Sequence, residues 1–119
     1  MMNQLRLWGC DIDGALERVA DDSELLISCM EMFREDPGFA ALEEALKNKD
    51  YRAAFDAAHT IKGVAANLGI TPLYEATCTL VEPLRRGEYG ELDELYRAFE
   101  PVRDQFFSVV DDAVAADHH

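Results

Sequence analysis

The sequence predicts an all-α protein, built as an antiparallel up-down four-helix bundle with one or two additional short helices. Apolar residues recur at helical spacing along almost the whole chain, and the strict alternation typical of strands is absent over any useful length. The breaks between helical stretches are short, so consecutive helices should be antiparallel neighbours. With 119 residues, 49% of them hydrophobic, the chain can bury one core. We therefore expect a single domain over residues 1–116 and a tail over residues 117–119.

The first two predicted helices begin at acidic caps. Asp11 precedes a short helix, because its carboxylate can accept hydrogen bonds from the free N–H groups of a helix start, and this helix should end near residues 20–22. Its apolar positions are Ile12, Leu16 and Val19. Asp22 or Ser23 caps the second helix, which the break at residues 36–38 ends. Its expected inward face is Leu25, Leu26, Cys29, Met32 and Phe33.

The third and fourth helices follow with a clear apolar stripe on each. The third ends around Lys49, and its stripe is Phe39, Leu42 and Leu46. Asp50 opens the fourth helix, and Gly69 ends it as a C-terminal cap. The stripe of the fourth helix is Tyr51, Ala54, Ala58, Ile61, Ala65 and Leu68.

Each of the last two helices contains a proline. Thr71 caps the fifth helix with Pro72 at its first position, and Pro83 should kink it or end it early. Its stripe is Leu73, Ala76, Thr77, Leu80 and Leu84. The sixth helix spans residues 92–114, and Pro101 predicts a bend within it. Its stripe is Leu92, Leu95, Phe99, Val102, Phe106 and Val109.

Charge and composition disfavour several classes of partner. The chain contains 11 Lys and Arg but 24 Asp and Glu, and the resulting net charge of -13 repels nucleic acid and anionic membrane surfaces. No apolar run reaches the ~20 residues of a membrane helix, and residues 1–8 lack the pattern of a signal peptide, so we expect a cytoplasmic protein. The thiols of Cys10, Cys29 and Cys78 are expected to be reduced. His118 and His119 are interpreted as the remnant of an affinity tag.

His59 in the fourth helix is the strongest candidate for chemistry. On a helical wheel Lys62, Gly63 and Ala66 lie within about 60° of it. The residues that lie well round the other side are Ala54, Ala58, Ala65 and Leu68. The imidazole should therefore be exposed. A glycine in the middle of a helix costs roughly 1 kcal/mol of stability relative to alanine. A functional need for open space beside the ring would explain the glycine at position 63. Lys62 places a positive charge where a phosphoryl group on the ring would sit.

A purely structural interpretation competes with this one. His59 would be an ordinary surface histidine, Lys62 a solvated charge, and Gly63 an accommodation for a neighbouring helix. Other chemistry has less support, because no Glu-x-x-His repeat, thiolate pair or readable nucleophile pattern is present. Glycine loops that cradle phosphate are missing, so the chain should neither bind ATP nor phosphorylate itself.

The segment from Ala58 to Gly69, AHTIKGVAANLG, resembles the signature of histidine-containing phosphotransfer (HPt) domains. Residues 11–18 resemble the entry segment of that family, and residues 42–50 resemble its run into the histidine helix, so the resemblance covers about residues 10–87. It implies a four-helix bundle in which His59, phosphorylated on a ring nitrogen, exchanges a phosphoryl group with an aspartate of a response-regulator receiver domain.

The resemblance also implies roles for the neighbours of the histidine. Lys62 would balance phosphoryl charge and Gly63 would allow close approach, while Ala66, Asn67 and Arg85 would contact the partner. The domain would need no cofactor of its own, since Mg²⁺ belongs to the receiver. The partners implied are a receiver domain, a hybrid histidine kinase or both, and a monomer is expected, although Phe106 and Phe107 leave a dimer open.

One position departs from the family pattern. Some members place glutamine or arginine on the next helix near the phosphoryl site, where this chain has Val81. Arg85 or Arg86, one turn later, are candidates to reach across instead. On the second helix we expect Phe33 in the core, with Met30 and Met32 as candidate apolar contacts for a receiver.

Two other functions stay open beside the phosphorelay intermediate. The chain could be a helical-bundle interaction module that is never phosphorylated, or the excised phosphoacceptor domain of a chemotaxis-type histidine kinase. In each of the phosphoacceptor hypotheses the chain is a phosphocarrier without kinase activity of its own.

Overall fold

A computed structural model describes residues 2–117, within which the chain forms helices and no strand. This confirms the predicted all-α class. The helices are α1 (Asn3–Trp8), α2 (Ile12–Arg18), α3 (Ser23–Arg34), α4 (Gly38–Lys47), α5 (Tyr51–Asn67), α6 (Thr71–Arg86) and α7 (Leu92–Asp117). The interpretation of His118 and His119 as a tag remnant lies outside the described residues.

The bundle has four positions, one of which is shared by two helices. α5 packs along α4 and α6, and α6 packs along α7. α3 also packs on α7 and meets α4 only around their junction, where the rings of Phe33 and Phe39 are 5.2 Å apart. α3 and α4 therefore fill the fourth position in succession, because Pro37 does not let the first of them continue.

Three predicted helix starts are confirmed by their capping hydrogen bonds. The carboxylates of Asp11, Asp22 and Asp50 each accept a hydrogen bond from the backbone N–H three residues later, at 3.0 to 3.2 Å. α2 ends earlier than predicted, at Arg18, because the chain turns through residues 20–21 in the left-handed region. The short α2 lies at the C-terminal end of α5, where the Asp11 N–H donates to the Gly69 carbonyl and Arg18 donates to the Asn67 carbonyl.

α1 was not predicted, because six residues are too few for a periodic pattern. Tertiary contacts hold it in place. Leu5 is fully buried, and the Trp8 ring stacks on Phe106 of α7 with centroids 6.5 Å apart. The indole N–H of Trp8 donates to Oε1 of Gln105 at 2.9 Å. α1 and α2 thus cover one end of the bundle.

The predicted inward face of α3 was partly wrong. Leu25 and Met32 are exposed, and Ile27 and Met30 are buried in their place beside Leu26 and Phe33, which were predicted correctly. α3 is apolar around more than half of its circumference, so its spacing fits two overlapping stripes. Packing on α7 selects the stripe that contains Phe33.

The prolines do not end their helices. α6 continues past Pro83 to Arg86, contrary to the expectation that this proline could end the helix early, and α7 continues through Pro101 to Asp117.

The predicted stripes of α5 and α6 are largely confirmed, whereas on α7 Tyr96 and Val110 are buried where Leu95 and Val109 were expected. Such one-residue shifts fall within the width of an apolar stripe.

The three thiols are free, as expected. Cys10 is buried, and that burial raises the pKa of its thiol to about 12, so the protonated form persists at neutral pH. Cys29 and Cys78 are half-buried. Among residues 2–117 no helix is long and apolar enough to cross a bilayer.

Gly69 holds the end of α5 against α2, and its replacement tests this contact. Its φ is +70°, its carbonyl accepts from the Asp11 N–H at 2.7 Å, and an added Cβ would overlap the Asp11 carbonyl oxygen. We expect Gly69→Ala to lower the free energy of unfolding by about 2–4 kcal/mol, measured by urea denaturation. Gly87→Ala is the control, since its φ is +73° but its Cβ would meet only the Tyr89 hydroxyl at 3.8 Å. Equal losses in both variants would contradict the overlap.

Candidate functional site

His59 lies on the solvent-facing side of α5, as predicted from the helical wheel. Its side chain is exposed, while Ala58 and Ile61 beside it are buried in the core. Among the described residues the imidazole has one aromatic neighbour, Phe55, one turn earlier, with ring centroids 5.5 Å apart and planes tilted by 31°. The ring nitrogens are therefore open to a partner, while one side of the ring rests on the helix's own surface.

Gly63, one turn after the histidine, has open space around it. An added Cβ would find no neighbouring side chain and no other helix within 4 Å among the described residues. The structural interpretation of Gly63 as an accommodation for a neighbouring helix is therefore wrong. The open space remains as a gap in the helix surface beside His59.

Gly63→Ala should separate stability from function. The methyl group meets nothing in the folded protein, so better helix propensity should raise the free energy of unfolding by up to ~1 kcal/mol. If His59 is the phosphoacceptor that the resemblance implies, the same methyl group would narrow the approach to its ring and slow phosphoryl transfer roughly tenfold. Thermal unfolding and transfer from a phosphorylated receiver measure the two effects.

Gly90→Ala provides the control, because a Cβ there also meets nothing within 4 Å but lies in the loop before α7. This variant should transfer at the wild-type rate. Unchanged transfer in Gly63→Ala would show that the open space has no role in the reaction.

Two cations belong to the surroundings of His59, Lys62 three residues later on α5 and Arg85 on α6. Lys62 is half-buried, and among the side chains of residues 2–116 no carboxylate lies within 4.0 Å of its ammonium group. The Arg85 guanidinium lies over the Phe55 ring, with Cζ 5.7 Å from the centroid, and Phe55 in turn contacts His59. Its ion pair with Glu82 is long, at 3.9 Å. Both cations can therefore turn toward a new anion without breaking a strong ion pair.

The structure distinguishes the other two residues of α6 that the sequence raised. Arg86 pairs with Glu82 and Glu88 at 3.8 and 4.0 Å and lines a depression between α6 and α7. Val81 is fully buried. The position at which some family members carry glutamine or arginine is thus part of the core here. Of the two arginines, Arg85 is the one that lies over Phe55, the aromatic neighbour of His59.

Ala66 and Asn67 are exposed at the C-terminal end of α5, which an arginine from α2 holds in place. Nη1 of Arg18 donates to the carbonyl oxygens of Asn67 and Ala66 at 2.8 and 3.5 Å. The Asn67 carbonyl lies at a helix end, where intrahelical donors run out and a cation complements the helix dipole, while the Ala66 carbonyl also accepts from the Gly69 N–H at 3.2 Å. The surface around Ala66 is therefore fixed rather than frayed.

An apolar groove runs beside Asn67 between α5 and α3. Met32, 74% exposed, stands on its rim. The residues lining the groove are Cys29, Met32, Phe33, Asp36, Val64, Asn67 and Leu68. The expected core position of Phe33 and the expected availability of Met32 both agree with this arrangement, whereas Met30 is fully buried and cannot contact a partner.

Sequence reasoning missed two residues at the site. Phe55 stands four residues before His59, a spacing that places two helical side chains side by side, so this neighbour could have been found. Arg18 had no such signal, because its contact with the end of α5 spans 48 to 49 residues of chain.

Comparison with known families decides the identity of the fold. The family model described as Hpt domain matches residues 24–114. The chain belongs to the Hpt domain family. Hpt domains are phosphocarrier modules of two-component signalling rather than kinases, and their partners are response regulators. Searches of curated proteins and of solved structures gave no significant match.

The matched range corrects the extent of the resemblance drawn from sequence. This Hpt domain includes α7 to residue 114, beyond residue 87 where the resemblance ended, and the match begins at residue 24, after the entry segment at residues 11–18. α7 belongs to the family pattern because it forms a bundle position against α3 and α6. The entry segment forms α2, which covers the bundle end.

Proposed function

We propose that this Hpt domain is a phosphorelay intermediate in which His59 exchanges a phosphoryl group with the aspartate of a receiver domain. The carrying observation is the exposed imidazole with open space at Gly63, on a helix whose opposite face is buried. Buried Ala58 and Ile61 fix the helix, so the ring is presented from a rigid surface.

The receiver and His59 supply every reacting group that the transfer needs. A ring nitrogen of the neutral imidazole attacks the phosphorus of the receiver's aspartyl phosphate, the new P–N bond forms and the P–O bond to the carboxylate breaks. The freed electron pair stays on the aspartate as a carboxylate, and the positive charge on the phosphorylated imidazole is lost when its other nitrogen releases a proton to water. The reverse sequence returns the phosphoryl group. Mg²⁺ is expected on the receiver, where it would balance charge on the phosphoryl oxygens.

The neighbouring residues support this reaction in separate ways. Lys62 is the proposed charge partner of the phosphoryl group, since it stands one turn from His59 without a close carboxylate. Arg85 is a second candidate, reached by turning away from Phe55. Ala66 and Asn67, together with the rim of the groove at Met32, would form the contact with the receiver. We expect the protein to act as a monomer.

The test is transfer from a panel of the source organism's receiver domains, each phosphorylated beforehand with a small phosphodonor and magnesium. The wild-type protein should gain one acid-labile phosphoryl group from one or a few receivers, read by intact mass before and after mild acid. If no receiver labels the protein while the receivers remain phosphorylated, the relay function is wrong. Binding of an unphosphorylated receiver without transfer would then favour the interaction module.

A further inference from the structure

A second feature lies one turn before His59, between the start of α5 and the end of α6. It is an open groove of about 320 Å³. The lining residues, which we call the basic groove, are Tyr51, Arg52, Phe55, Leu84, Arg85 and Tyr89. Two guanidinium groups and three aromatic rings thus surround it, and no carboxylate is among the lining side chains.

The charge of the basic groove is opposite to that of the whole protein. The chain carries a net charge of -13, yet both charged residues of the groove are arginines. Among the described side chains, those of residues 2–116, no carboxylate lies within 4.0 Å of the Arg52 guanidinium. Arg52 also stands in the first turn of α5, where an acidic residue would suit the helix dipole better. Stability of the helix therefore does not explain this arginine.

The shape of the groove is set by aromatic contacts. The rings of Tyr51 and Tyr89 stack with centroids 3.8 Å apart, which ties the loop after α6 to the start of α5. Arg85 lies over the face of Phe55, and its ion pair with Glu82 is long, at 3.9 Å, so the guanidinium can exchange that weak pair for a partner's anion. Phe55 also contacts His59, so the groove and the imidazole share one wall.

We propose that the basic groove binds a carboxylate side chain that the receiver carries beside its phosphoacceptor aspartate. This inference rests on the proposed function, because the occupant is part of the docked receiver. Charge complementarity selects it: two exposed arginines without a strong ion pair suit a carboxylate, and the partner must bring its anionic aspartyl phosphate to the neighbouring His59. The groove orients the receiver and raises its affinity, while the chemistry stays at His59.

The test compares Arg52→Gln with Arg97→Gln in transfer from the cognate receiver. Both residues are exposed and both changes remove one positive charge, but Arg97 lies on α7, beside the cleft between α4 and α7. Arg52→Gln should raise the receiver concentration for half-maximal transfer about three- to tenfold, because one anchor of the carboxylate is lost. Its maximal rate should stay within about twofold of wild type, since no group at His59 changes. Its dependence on ionic strength should also be flatter than that of wild type.

Labelling by phosphoramidate, which needs no docking, separates the two possible failures. Arg52→Gln should be labelled by phosphoramidate at the wild-type rate. Wild-type affinity for the receiver in Arg52→Gln, or an equal loss in Arg97→Gln, would overturn the basic groove alone. Failure of both donors to label the wild-type protein would overturn the proposed function and the groove with it.

Discussion

His59→Gln is expected to abolish phosphoryl uptake from receivers and from phosphoramidate, with a loss of at least ~10³-fold, because the amide cannot act as the nucleophile. The fold should be unchanged. His59 is exposed, its ring contact is with Phe55 of the same helix, and surface substitutions of this kind change the free energy of unfolding by about 0.5 kcal/mol or less. Transfer assays and circular dichroism on the same preparation measure both quantities.

Lys62→Ala provides a graded comparison for that result. The imidazole remains, so uptake should continue at a reduced rate, and the phosphorylated protein should lose its phosphoryl group faster if Lys62 stabilises it. Residual uptake by His59→Gln equal to that of Lys62→Ala would place the acceptor elsewhere. Wild-type uptake by both variants would show that neither residue takes part.

Phe106→Ala is expected to cause the largest loss of stability, about 3–5 kcal/mol in the free energy of unfolding. Phe106 is fully buried where α7 meets several other elements. Its ring centroid lies within 6.5 Å of those of Trp8, Phe33, Phe39 and Phe107. Because domains of this size are stable by only about 5–15 kcal/mol, the variant should be close to unfolding at moderate temperature.

Urea denaturation followed by circular dichroism measures this loss. The single tryptophan, Trp8, stacks on Phe106 and so gives a second, local signal for the attachment of α1. Phe107→Ala is the control, since that ring is only half-buried, and it should lose clearly less. A loss below ~1 kcal/mol in Phe106→Ala would contradict the described core.

The parts of the fold that the sequence predicts are those with local physical causes. Acidic caps such as Asp22 and Asp50 act within three residues, and the stripe of α5 repeats over 17 residues, so both are legible without tertiary information. The same stripe fixes the outward direction of His59. The exposed imidazole could thus be predicted because every step of the argument stays within one helix.

The parts that the sequence does not predict depend on contacts between distant segments. α1 exists because Trp8 reaches Phe106, 98 positions away, and α3 buries one of two available stripes because α7 packs on it. Arg18 and the basic groove at Arg52 are also products of tertiary packing. Helical periodicity carries no information about such pairs, which only the assembled bundle brings together.

The central claim is that His59 is the phosphoacceptor, and the position of the phosphoryl group tests it most directly. The chain has three histidines, so mass measurement of the intact protein counts phosphoryl groups without locating them. Fragmentation of the receiver-phosphorylated protein, kept at alkaline pH to preserve phosphohistidine, should place a single phosphoryl group on His59. A phosphoryl group on any other residue, or one that survives acid, would contradict the account.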